Sequence, residues 1–143
     1  LFKFPPALVT GTTLNELFSD TIPSGNFPND NDAIEIFTFW KSGNGVLSTD
    51  VTLRFDFGST GISINDFGNR SGSLSYIMRG FVQRKSSTEI NISIYGFIGS
   101  EVVDILNNTT TVSANSTQNF QIQAQDSGGN DGLELLGGYV RKI

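Results

Sequence analysis

The chemistry open to this chain is carboxylate chemistry, because its 143 residues include no histidine and no cysteine. Glu35, Glu89, Glu101 and Glu134 are the candidates. Two carboxylates flanking one bond can cleave a glycoside, one as acid and the other as nucleophile or base. These four are scattered over presumed strands and turns with no pairing visible. Without imidazole or thiol, Ser–His–Asp and Cys–His nucleophiles, zinc hydrolysis and histidine-ligated iron lose their central group. The chain is therefore expected to be no enzyme and to need no cofactor.

Binding chemistry is better supplied. Asp30 and Asp32, and again Asp126 and Asp131, stand in Asn- and Gly-rich loops that could offer hard oxygen ligands to calcium. Neither cluster has the spacing of an EF-hand, and turns capped by their own Asp and Asn side chains explain both more simply. Trp40, Tyr76, Tyr95 and Tyr139 could stack on a sugar ring while a polar edge bonds a hydroxyl. Gln121, Gln123 and Gln125, with Asn119, line one face of an alternating segment, where amides can bond water, a sister subunit or sugar hydroxyls.

Strands must position these groups. Short runs alternate between apolar and polar residues and are divided by Gly, Asn, Asp and Ser clusters. The cleanest is Val51 to Phe57. Others run over Ala33–Trp40, Leu74–Arg84, Glu89–Tyr95, Val102–Leu106, Asn119–Gln125 and Leu133–Ile143. Leu74–Arg84 has the mixed pattern of a strand buried on both faces, and Gly96 suggests a bulge. Leu14, Leu17 and Phe18 could form one helical turn or equally a strand; helical signal is otherwise nearly absent. No repeat of propeller or solenoid type is visible. The expected fold is all-β, an antiparallel two-sheet jelly-roll sandwich of roughly eight or nine strands.

One strand has an unusual asymmetry. If Ile34, Ile36, Thr38 and Trp40 face the core, Phe37 and Phe39 share the outer face with Glu35 and Lys41. Two phenylalanines facing water form a patch that a monomer normally avoids, so Phe37 and Phe39, with the three glutamines, are the oligomer-interface candidates. The opposite phase, or a covering loop, would place both rings in the molecule's own interior.

A net charge of −5 and a pI near 4.5 argue against nucleic acid and anionic membranes as partners. No stretch of about 18 apolar residues suggests membrane insertion. Leu1–Thr10, broken by Pro5 and Pro6, is read as an extended lead-in from an upstream segment, although an N-terminal edge strand fits as well. Residues 11–143 form the expected single domain.

The order of features then resembles a known group. Thr12–Glu16, then Ser19-Asp20-Thr21-Ile22-Pro23-Ser24-Gly25-Asn26, the strand Asp32–Ile36, the strand Thr52-Leu53-Arg54-Phe55-Asp56-Phe57-Gly58 and a late Gln-rich strand are similar to jelly-roll domains of tailed-bacteriophage virion proteins, of the tail-fibre-tip and head-decoration type. Ser24-Gly25 departs from the Ala-Asn expected after the proline. The resemblance spans roughly Thr10 to Ile143. It implies a homotrimeric module on the virion surface, contacting other virion proteins and presenting loops to a host-surface glycan or protein. A carbohydrate-binding module or lectin of a secreted protein is the alternative.

Overall fold

A computed structural model of the chain describes residues 1–10, 12–41, 46–47, 51–64, 70–71, 75–98, 101–126 and 132–143. Its strands are β1 (Phe2–Phe4), β2 (Ala7–Leu8), β3 (Asn15–Ile22), β4 (Ala33–Lys41), β5 (Val46–Leu47), β6 (Val51–Phe57), β7 (Thr60–Ile64), β8 (Arg70–Ser71), β9 (Ser75–Arg84), β10 (Glu89–Ile98), β11 (Glu101–Thr111), β12 (Gln118–Asp126) and β13 (Glu134–Lys142). Leu17 and Phe18 lie in strand β3, which begins at Asn15, directly after Leu14.

Two antiparallel sheets pack face to face. The larger runs β1-β13-β4-β9-β10-β11, with β2 also on β13, and the smaller runs β3-β12-β6-β7; β5 and β8 pair separately. Eight strands, namely β1, β3, β4, β6, β7, β9, β12 and β13, form the frame. Numbered along the chain, they lie 1-8-3-6 in one sheet and 2-7-4-5 in the other, the jelly-roll order of two interleaved Greek keys. The two sheets hold eleven strands, more than the eight or nine expected. The excess is the β10–β11 hairpin, which widens the larger sheet beyond β9, and the short β2.

Alternation places the core. Val51, Leu53, Phe55 and Phe57 are buried on β6, Phe120, Ile122 and Ala124 on β12, and Ile90, Ile92 and Ile94 on β10. Full burial of each large side chain stabilises by about 1.5–3 kcal/mol. The sheets pack tightly where Phe55 of β6 lies against Gly80 of β9: a Cβ on Gly80 would sit 2.7 Å from Phe55 Cε1. The expected bulge is present, a register shift between Gly96 and Phe97. A second lies between Leu135 and Gly137, the latter at φ +146°, a value that favours glycine.

At the N-terminus the structure has the edge strand, the second of the two readings. Phe2, Lys3 and Phe4 pair with Val140, Tyr139 and Gly138 of β13, and the Phe4 ring lies in the core, stacked 5.9 Å from Phe120. Pro5 and Pro6 fall between β1 and β2, where no ladder hydrogen bond is demanded of their nitrogens. β1 and β2 therefore belong to the larger sheet.

Candidate functional site

The larger sheet buries one face and carries an aromatic surface on the other. Ile34, Ile36, Thr38 and Trp40 of β4 are fully buried, so Phe37 and Phe39 point outward, and Phe39 is 36% exposed. Cross-strand register extends this surface in rows. Phe39, Ile77, Phe97 and Val102 lie side by side across β4, β9, β10 and β11, and Val102 is 49% exposed. The next row is Lys3, Tyr139, Phe37, Arg79 and Tyr95, and the next Arg141, Glu35, Phe81 and Ser93. The rings support one another: Phe37 stacks on Tyr139 at 5.2 Å and Phe81 meets Tyr95 edge-on at 6.1 Å. Arg79 lies over Phe81 and Arg141 over Tyr139, at 5.1 and 5.2 Å from the ring centres.

At the centre of this face is a buried carboxylate. Glu35 is 1% exposed, and its Oε1 accepts from Arg79 Nε at 2.6 Å and from the Arg79 terminal nitrogen at 2.5 Å. Its Oε2 accepts from Arg141 Nε at 2.5 Å and lies 3.5 Å from the Tyr139 hydroxyl. Burial pushes the Glu35 carboxyl up, but the hydrogen bonds and charges of Arg141 and Arg79 outweigh it and hold the group below its ordinary value of 4.5. The ionised form is thus fixed, and it orients both guanidiniums across the aromatic rings. Beside them Leu1, Phe2, Lys3, Tyr139, Val140 and Arg141 line a shallow depression of about 400 Å³.

The smaller sheet's outer face is of another kind. Gln121 donates to Glu16 at 2.7 Å, Gln123 to Gln121 at 2.9 Å and Gln125 to the Thr12 carbonyl at 3.0 Å. Arg54 pairs with Asp56 at 2.6 Å on the neighbouring strand. The three glutamines proposed for an interface thus have partners within their own chain, and this face is a hydrogen-bonded polar ladder. The physical case for a covered surface falls on Phe37 and Phe39 instead.

Two glycan candidates are corrected. Trp40 and Tyr76 are 0% and 1% exposed and belong to the core, so neither can stack on a sugar. Trp40 Nε1 donates to Thr38 Oγ1 at 2.7 Å, and Thr38 donates to the Met78 carbonyl at 3.1 Å, which satisfies the indole without solvent. Tyr95 and Tyr139 are half-buried on the aromatic face, beside the oligomer candidates.

The first acidic loop serves the fold. Asp30 accepts from Arg84 at 2.9 Å, and Asp32 caps the turn at Asn29 through its backbone N–H at 2.8 Å. Asp126 is buried at the end of β12, and Asp131 lies outside the described residues. Among the described residues no group of three or more carboxylates could hold a metal ion. Of the four glutamates considered for glycoside chemistry, Glu35 is held by two arginines, Glu89 pairs with Lys85 and Glu134 with Lys41. The Glu101 side chain lies outside the described ones.

Neither family models, nor curated proteins, nor solved structures gave a match to this chain. Its candidate site therefore rests on its own geometry. Arg79, Arg141, Phe81, Ile77 and Phe97 escaped sequence reasoning as site residues, and Glu35 was read as a carboxylate on the outer face without its two arginines. The available signal was in Leu74–Arg84, whose mixed pattern arises because Ile77 and Phe81 supply a second, outward apolar face.

Proposed function

We propose that this chain is a non-enzymatic structural and attachment module of a virus particle, assembled as a homotrimer and located on the virion surface. The observation that carries the self-association is the outward aromatic face of the larger sheet, centred on Phe37 and Phe39. Aromatic rings and arginines are enriched at protein interfaces relative to the rest of the surface, and a contiguous exposed apolar patch marks an interaction site. The jelly-roll order is compatible with the resemblance to phage virion domains, which is the source of the virion assignment. In this reading the loops at the ends of the sandwich meet a host-surface glycan or protein, and other virion proteins hold the module in place. The net charge of −5 makes nucleic acid an unfavourable partner.

The lectin alternative is weaker because its best stacking residue, Trp40, is in the core. Sedimentation velocity at micromolar concentration tests the proposal. A trimer supports it, and a stable monomer overturns it.

A further inference from the structure

We infer that the depression beside Tyr139 is a binding site for a carboxylated sugar, of the uronic or sialic acid class. This rests on the attachment reading above and adds a contact on the sheet to the loops proposed there. The depression, about 400 Å³, falls within the range of small-molecule sites, about 300–1,000 Å³.

Charge decides the class of ligand. Lys41, Arg54, Arg84 and Lys85 each have a carboxylate of their own, in Glu134, Asp56, Asp30 and Glu89. The cations at the depression do not. Arg141 shares Glu35 with Arg79, and the exposed Lys3 makes no ion pair among the described residues. Lys3, Arg79 and Arg141 thus stand around a single carboxylate, within a chain of net charge −5. Asp20, on the β3 edge of the other sheet, accepts from the adjacent Thr21 N–H and pairs with none of them. The site fits an anion.

Geometry narrows the anion. Register sets Lys3 opposite Tyr139, and Arg141 follows Tyr139 by two on the same side of β13. Arg141 is held through Nε, by Glu35 Oε2, while its side chain is 55% exposed. Its terminal nitrogens form a fork that matches a planar carboxylate, with Lys3 as the second charge. Leu1, Phe2 and Val140 add apolar lining, and Tyr139 adds a ring. A bare inorganic anion leaves that surface uncovered, whereas the carbon face of a pyranose covers it.

Tyr139 also separates this site from the proposed contact between copies. In the row across β1, β13 and β4, Lys3 flanks Tyr139 on one side and Phe37 stacks on it from the other. A sugar and a second copy of the chain therefore take different sides of one residue.

The experiment titrates the whole, isotope-labelled chain with glucuronic acid and follows its NMR shifts, with glucose and acetate as comparison probes. Saturable shifts at Lys3, Tyr139 and Arg141 are expected, with a dissociation constant on the order of 1 mM. Glucose and acetate should each bind about tenfold more weakly, one lacking the charge and the other the ring. Lys3→Ala should weaken glucuronic acid binding about fivefold. Lys142→Ala removes an equal charge from the other side of β13, opposite the buried Ile34, and should leave binding unchanged. Equal affinity for glucose or acetate, unchanged binding in Lys3→Ala, or equal weakening by Lys142→Ala overturns the site. Sedimentation of the same sample keeps the two readings apart. A trimer without the shifts overturns the sugar site alone, and a monomer that shows them overturns the trimeric module alone.

Discussion

Replacing Glu35 by glutamine removes one charge from the centre of the aromatic face while keeping the side chain's shape. Glu35 accepts three short bonds from two arginines while 1% exposed. A hydrogen bond to a charged group contributes about 1.5–3 kcal/mol against about 0.5–1.5 for a neutral one, so about 1 kcal/mol is lost per arginine. The glutamine amide also turns a donor toward a donor. Water at the half-exposed guanidiniums tempers both effects, leaving a cost of about 2 kcal/mol. In a domain of this size that lowers Tm by about 6–8 °C. The pH dependence has a definite sign. The Glu35 carboxyl is held below 4.5, so its contribution is full above that value and fades as pH falls through the folded-state value. Thermal melts of wild type and Glu35→Gln, taken where both have the same oligomeric state, should differ by a constant amount from pH 6 to 8 and converge below about pH 4.5. Equal stability at pH 7, or a gap that persists in strong acid, would refute the account of this clamp.

Three further substitutions probe the frame. Gly80→Ala forces a methyl on β9 against Phe55 of β6 and should cost about 1–3 kcal/mol in urea unfolding; a neutral result would mean that the sheets separate easily. Thr38→Val leaves the buried Trp40 N–H without its acceptor and should cost about 1–3 kcal/mol, read by fluorescence of the chain's single tryptophan. An unchanged midpoint would contradict that role. Arg84→Ala removes the tie from β9 to Asp30, the Phe27 carbonyl and Asn115; it should cost about 1–2 kcal/mol and speed amide exchange over residues 27–32. Unaltered exchange there would show that the turn holds itself.

Local pattern made the strands legible, and long-range geometry hid the site. Val51–Phe57 alternates without exception, and its burial follows residue by residue. The phase of β4 was legible as one of two options, because Glu35 and Lys41 do not belong among Ile34, Ile36 and Trp40. What escaped was set by distant partners. Arg79 and Arg141 reach Glu35 from 44 and 106 positions away, and no spacing rule connects them. Trp40 looked available for stacking because the acceptor of its N–H, Thr38, was read only as a core position. The two prolines suggested a linker, yet they mark the break between two short strands that pair with the far end of the chain. The β10–β11 hairpin gave ordinary strand signals, and its effect, a wider outer face, appears only in the sheet order.

Hydroxyl-radical footprinting of the wild-type protein across a dilution series tests most directly whether the aromatic face is covered by another copy. Oxidation of Phe39, Phe37 and Tyr139 should fall as concentration rises into the micromolar range, while that of the core residues Phe55 and Phe120 stays low throughout. Equal oxidation of Phe39 at every concentration would contradict the account.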